Sequence, residues 1–175
     1  MSALDARGNG WQCLSVWTTV RAMTLERISV IHGDRDAVIG QFLGLPGLSF
    51  FAVVDAASFE TEYEILEALN SAFRLPAYFG WNWDALYDCL SDLDWVMADR
   101  YLLFVENSDR LDIQGSPDHS KFFAVLREVV KAWDPSRFAP GRRRAEFAVI
   151  LDWGSEFSAR VEQALGEFGI EVAEA

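Results

Sequence analysis

Cysteine is scarce in this 175-residue chain, with Cys13 and Cys89 as its two representatives. Two isolated cysteines in a domain of this size fit a reducing compartment, and they form no metal-ligand spacing. A cytoplasmic location is the expectation. Histidine is equally rare: His32 and His119 stand alone and read as ordinary loop or cap residues. No Ser-His-Asp order, Gly-rich phosphate loop or metal-spaced histidine pair accompanies them. Neither a cofactor nor a metal site is therefore expected. No apolar run approaches the roughly 18 residues that a membrane-spanning helix needs, so no membrane association is expected. Met1 to Gly10 lacks a basic patch followed by an apolar stretch, which argues against a secretory signal. There is no internal repeat and no low-complexity tract.

Basic residues are also in short supply. Lys and Arg number 15 against 27 Asp and Glu, a net charge of −12. Such a chain repels phosphate backbones, and nucleic-acid binding is disfavoured. The charge is concentrated. Residues 60–99 hold nine acids (Glu60, Glu62, Glu64, Glu67, Asp84, Asp88, Asp92, Asp94 and Asp99) against one base, Arg74, whereas residues 1–45 hold four of each sign. This is either a solvated helix face or an electrostatic lure for a basic partner. What the chain does have is apolar bulk: a hydrophobic fraction of 51%, with seven Trp and 13 Phe, is enough for one domain with a real core.

Trp11 to Val20 and Leu25 to Ile31 read as strands, and Asp36 to Leu43 as a short helix ended by Gly44 and Pro46. Ser49 to Asp55 is a near-continuous apolar run, expected of a strand covered on both faces. Thr61 and Glu64 have capping-box spacing, and Ile65, Leu66, Leu69 and Phe73 follow at helical period up to Leu75-Pro76. Asn82 caps a second helix from Trp83 to about Leu93. Tyr101 to Glu106 is a further strand. Ser116-Pro117 opens a helix through about Trp133. Ala145 to Asp152 is another apolar strand, and Ser155 to Phe168 a last helix. Strands alternating with helices predict an α/β fold with a small parallel sheet and right-handed crossovers.

The second helix holds the candidate site. At about 100° per residue, Trp83, Leu86, Leu90 and Leu93 share one stripe about 80° wide, while Asp84, Tyr87, Asp88 and Ser91 fall opposite. Asp84 lies in the first turn, where the helix dipole favours a negative charge. Asp88, one turn on, has a like charge for a neighbour. The fold gains nothing from that pair, whereas a positively charged partner would.

The stretch Leu75 to Leu90, LPAYFGWNWDALYDCL, resembles the signature of the barstar family, whose members inhibit a ribonuclease. Leu75, Pro76, Tyr78, Gly80, Asn82, Asp84, Ala85, Leu86, Asp88, Cys89 and Leu90 stand in the signature's places. The surrounding elements follow the family order, so the resemblance extends over roughly 49–153. It implies a barstar-like domain at 46–153, an N-terminal extension at 1–45, and a C-terminal helical addition at 154–175 packed on the same domain. It also implies a non-enzymatic role as an immunity protein, in which an acidic helix and the loop before it plug the active site of a basic ribonuclease, one to one. By position, Asp88 would be the central anchor and Asp84 would bind an adjacent basic group. Tyr78 would pack over the partner, and Tyr87, in place of the family's Trp, would add aromatic contact. Gly80 would let backbone approach closely, Asn82 would shape the loop, and Glu128 would supply a second acidic contact. Trp81 replaces an acid of the prototype, Trp83 replaces a Leu, and Phe79 lacks the hydroxyl of the usual second Tyr. The linker Ser91 to Trp95 is longer by about two residues. Tyr78, Phe79, Trp81 and Trp83 are either a hydrophobic contact patch or partial core.

Two other readings compete. The module could bind a protein that is not a ribonuclease, since fold alone does not settle function. Alternatively, Asp84 and Asp88 could act as acid and base in glycoside chemistry, or ligate Mg²⁺ with Asp92. Cys89 is expected to be a partly buried, unreactive thiol. Arg142 to Arg144 reads as a solvated loop or a weak contact with another copy, and the flanks are candidates for self-association. Met23 is a candidate translation start, because the first regular element follows it.

Overall fold

In the computed structural model the described residues are 28–31, 35–134, 145–154, 159–168 and 171–172. Apolar runs of β-branched and aromatic residues supply the strands, β1 (Ile28–Ile31), β2 (Ser49–Asp55), β3 (Arg100–Glu106), β4 (Glu146–Asp152) and the short β5 (Glu171–Val172). The helices are α1 (Arg35–Gly44), α2 (Glu62–Phe73), α3 (Trp83–Asp92), α4 (Pro117–Ala132) and α5 (Ala159–Glu167). The strands form a single five-stranded sheet in the order β2-β3-β4-β1-β5, and each pairing is parallel. The register runs from Ser49 opposite Arg100 to Asp55 opposite Glu106, and from Arg100 opposite Glu146 to Val105 opposite Leu151.

Handedness decides which face each helix covers. The steps from β2 to β3, β3 to β4 and β4 to β5 all run in one direction across the sheet. Right-handed crossovers therefore put α2, α3, α4 and α5 on one face. The step from β1 back to β2 runs the other way and puts α1 on the opposite face. The two hydrophobic clusters match this division. One joins Leu69, Leu86, Leu126 and Leu165 of the four helices to Val54, Leu103, Val105, Phe147 and Val149 of the sheet. The other joins Val38 and Phe42 of α1 to Ile31, Leu102, Phe104, Ala148 and Ile150.

The sheet differs from expectation in two ways. Among the described residues it has five strands: β1 falls within the strand expected at Leu25 to Ile31, whereas β5 was not expected. And β2, expected to be covered on both faces, is an edge strand among the described residues, with Ala52 and Val54 buried while Phe51 and Val53 are half-buried. Among the described residues α1 alone lies on the second face, and their cover thins toward that edge. The expected strand at Trp11 to Val20, together with Cys13, His32 and Arg142 to Arg144, lies outside the described residues.

The helix starts follow from local chemistry. Thr61 and Glu64 make the reciprocal capping box at the head of α2. Ser116 caps α4 ahead of Pro117 at the first helical position. Asp118 accepts the Glu62 N–H at 3.1 Å, which ties the first turns of α4 and α2 together. The C-terminal limit of α2 is set by Arg74, in the left-handed region at φ 51, one residue before the expected Leu75-Pro76 stop.

His119 is buried and uses both ring nitrogens. Nδ1 accepts the Asp112 N–H at 2.9 Å, and Nε2 stands 2.7 Å from the Phe59 carbonyl, which requires the proton on Nε2. Its role is to stitch the entry of α4 to the turn after β2. At the carboxyl ends of the strands, Asn107 Nδ2 donates to Asp55 at 2.7 Å, and Arg35 pairs with Glu106 across the sheet. Among the described residues, no helix is long and apolar enough to cross a membrane.

Candidate functional site

The loop from Leu75 to Asn82 and the helix α3 form one exposed, acidic and aromatic surface. Asn82 shapes both parts. Its Oδ1 accepts the Ala85 N–H at 2.8 Å and so caps the helix, while its Nδ2 donates to the Gly80 carbonyl at 3.1 Å and pins the loop. A Cβ at Gly80 would meet Ala85 Cβ and Asn82 Nδ2 at 3.2 Å each. The close backbone approach expected of Gly80 is therefore toward its own helix.

The loop's left-handed residue is Trp81, at φ 51. A bulky residue held there stores about 1–3 kcal/mol of strain, which the surrounding contacts must offset. Those contacts are two rings. Tyr63 of α2 lies flat on Trp81 with centroids 5.4 Å apart, and Phe79 sits against it at 5.4 Å and 44°.

The helix is fixed at its other end too. Leu93 ends it in the left-handed region, Trp133 Nε1 of the α4 terminus donates to the Leu90 carbonyl at 2.9 Å, and Trp95 Nε1 donates to the Phe73 carbonyl at 3.1 Å. Leu86, Cys89, Leu90 and Leu93 are buried. The buried face is broader than the expected stripe because α3 packs chiefly against α4, along its flank. Tyr87 and Ser91, expected on the outer side, are therefore half-buried. Trp83 is also half-buried against the core, with its indole N–H buried and unpartnered. Burial, followed by the charges of Asp88 and Asp92, raises the Cys89 thiol above its ordinary range.

Asp84 and Asp88 are both exposed, and among the described residues neither has a hydrogen-bond or ion-pair partner. One helical turn apart, they are surface neighbours with about 5–6 Å between Cβ atoms. Tyr78 is 75% exposed and Trp81 45%, so both project from the loop beside the acids. Glu128 of α4 stands differently. It is exposed, but Lys131 at 2.9 Å and Arg127 at 3.1 Å already hold its carboxylate. The Lys131 hydrogen bond, more than its opposing desolvation, keeps that carboxyl below its usual range. Any partner contact at Glu128 has to displace or share those cations.

Tyr63 was not legible as a site residue. Its one signal in the sequence is an aromatic at the flank of the Ile65, Leu66 and Leu69 stripe of an amphipathic helix. Among the described residues, no group of three or more His, Cys, Asp or Glu is placed to hold a metal ion. The arrangement can present rigid, unneutralised carboxylates flanked by rings.

Fold and surface together define a parallel α/β protein that carries an exposed acidic helix capped by Asn82. The family model described as barstar (barnase inhibitor) matches residues 49–152, more than half of the chain. The chain belongs to the barstar family. Comparison with curated proteins gave no match. Among solved structures, the chain is similar to the Aeropyrum pernix ORC1 protein in complex with DNA, at 16% identity and a TM-score of 0.53. That match covers 98% of this chain and 46% of the other, so this chain spans under half of that protein's length. At this identity the likeness is one of fold alone.

Proposed function

We propose that this protein is an intracellular inhibitor of a basic ribonuclease, acting by occupancy of the active site. The observation that carries the reading is the exposed, unpartnered Asp84–Asp88 pair on a helix capped and stapled at both ends; membership of the barstar family supports it. A ribonuclease site that binds phosphates is lined with Arg, Lys and His. Carboxylates on a rigid helix take the phosphate positions through charge-assisted, often bidentate hydrogen bonds. Asp88 serves as the central anchor and Asp84 meets a neighbouring cation. Tyr78, Trp81 and Tyr87 supply apolar cover around them, and Gly80 and Asn82 hold the loop shape. Glu128 contributes a second acidic contact once its cations are displaced. The negative field of residues 60–99 raises the association rate with a basic partner.

The test is to titrate a panel of small microbial ribonucleases, including any encoded beside this protein, with wild type and Asp88→Ala. Stoichiometric inhibition by wild type, lost in a variant with unchanged circular dichroism, is the expected result. No inhibition of any panel member would defeat the ribonuclease reading. In that event a barstar-like module with another protein target becomes the better account. The feature favouring it is Trp81, an exposed indole where the family prototype has an acid.

A further inference from the structure

Three of the large apolar side chains that remain exposed, Tyr63, Tyr78 and Trp81, belong to this one surface. Two of them are organised. The Tyr63 and Trp81 rings are stacked at 5.4 Å with their planes 14° apart, and the buried Phe79 backs the indole. Tyr63 is 58% exposed, so the stack presents ring area to solvent. Glu67 lies one helical turn beyond Tyr63 on α2 and is its surface neighbour. Glu67 is exposed, and among the described residues it has no hydrogen-bond or ion-pair partner.

A ring face beside a free carboxylate suits one kind of side chain. A guanidinium is planar and weakly hydrated; it stacks on the ring and still donates its edge N–H groups to a carboxylate. An ammonium matches the charge without matching the shape. The sign of the occupant follows from the nine acids and one base of residues 60–99.

We infer that Tyr63, Trp81 and Glu67 form an arginine-recognising platform that reads one Arg side chain of the basic protein partner. The platform extends the recognition surface from α3 onto α2. It rests on the proposed function only in taking the partner to be a basic protein, and does not require that protein to be a ribonuclease.

Nona-arginine and nona-lysine peptides carry equal charge, so the ratio of their affinities for the intact chain isolates guanidinium recognition. The ratio is read by fluorescence anisotropy with end-labelled peptides at fixed ionic strength. Wild type is expected to bind nona-arginine about two- to fivefold more tightly than nona-lysine. Tyr63→Ala, a substitution at an exposed position that takes no part in the Thr61–Glu64 capping hydrogen bonds, brings the ratio to about one. Asp88→Ala weakens both peptides and leaves the ratio intact. Equal affinities in wild type, or a preference that survives Tyr63→Ala, overturn the platform. The ribonuclease titration is read separately. Inhibition with equal peptide affinities sinks the platform alone, and a Tyr63-dependent arginine preference without inhibition of any ribonuclease supports the platform while sinking the ribonuclease reading.

Discussion

Substituting Asp88 with alanine tests whether its carboxylate serves the fold or a partner, because the two roles predict opposite changes in stability. In α3 the residue is exposed and, among the described residues, unpartnered. Aspartate is one of the poorer helix formers, about 0.7 kcal/mol below alanine. Asp84 and Asp92 each lie one turn from it, and like charges at that spacing cost about 0.2–0.5 kcal/mol per pair. The last turn of α3 carries no base to offset them. Asp88→Ala should therefore stabilise the isolated protein by about 1 kcal/mol. In a domain of this size that raises the melting temperature by about 2–4 °C.

Thermal unfolding at about 0.01 M and about 1 M salt separates the contributions, because the screening length falls from about 30 Å to about 3 Å. The like-charge part vanishes at high salt and the propensity part stays. In the complex the sign reverses. Removing one member of a buried, hydrogen-bonded charge pair costs about 2–5 kcal/mol, a general figure for which the barstar family's type member is itself a standard example. The dissociation constant should rise about thirtyfold or more. A melting temperature lowered by about 2 °C or more would refute the reasoning, since it would mean that the fold itself depends on the carboxylate.

Asn82→Ala removes the cap on Ala85 and the tie to Gly80, and should cost about 1 kcal/mol in urea unfolding; Asn82→Asp, which keeps the cap and loses only the tie, should cost less. His119→Leu leaves the Phe59 carbonyl buried and unpaired and should cost about 1–3 kcal/mol, read from the urea midpoint. Asp55 is held below the ordinary carboxylate range by the Asn107 hydrogen bond first and the Ala57 N–H second. The stability this contributes is complete above the unfolded value of about 3.9 and is lost as pH falls through the lower folded value. Asn107→Ala should therefore shrink the difference in urea midpoint between neutral pH and about pH 3. The change is small because Asp55 is exposed, and an unchanged difference would count against the assignment.

Elements whose cause is local were legible in the sequence. Asn82, Thr61 and Ser116 carry their capping partners within three residues, and the helices start where those residues place them. What depends on strand order was not. Ser49 to Asp55 is apolar enough for a central strand, yet among the described strands it lies at the edge, because the first of them inserts beyond β4 and leaves β2 paired with β3 alone. A run of seven residues carries no record of that long-range choice. The two-residue β5 has no period to detect, and its place beside β1 is set entirely by the crossover from β4.

The same division runs through the site. Asp84 and Asp88 were legible because helical geometry places them together and a like-charged pair has no local justification. Glu128 illustrates the reverse. Lys131 stands three residues on, so the engagement of that carboxylate was open to the same spacing argument and reduces its availability to a partner. The stack of Tyr63 on Trp81 joins two elements through a left-handed tryptophan, a conformation that L residues other than glycine rarely adopt, so no local pattern points to it. Yet that strained residue ties the loop to α2, as the Asn82 cap and the Trp133 hydrogen bond to Leu90 tie α3 at its ends. The side chains that fix the helix and its loop thus find partners within the chain, while the two acids on its outer face find none among the described residues. A surface rigidified from within and left uncompensated outside loses little conformational entropy when it meets a cation, and that is the property expected of a preformed binding helix.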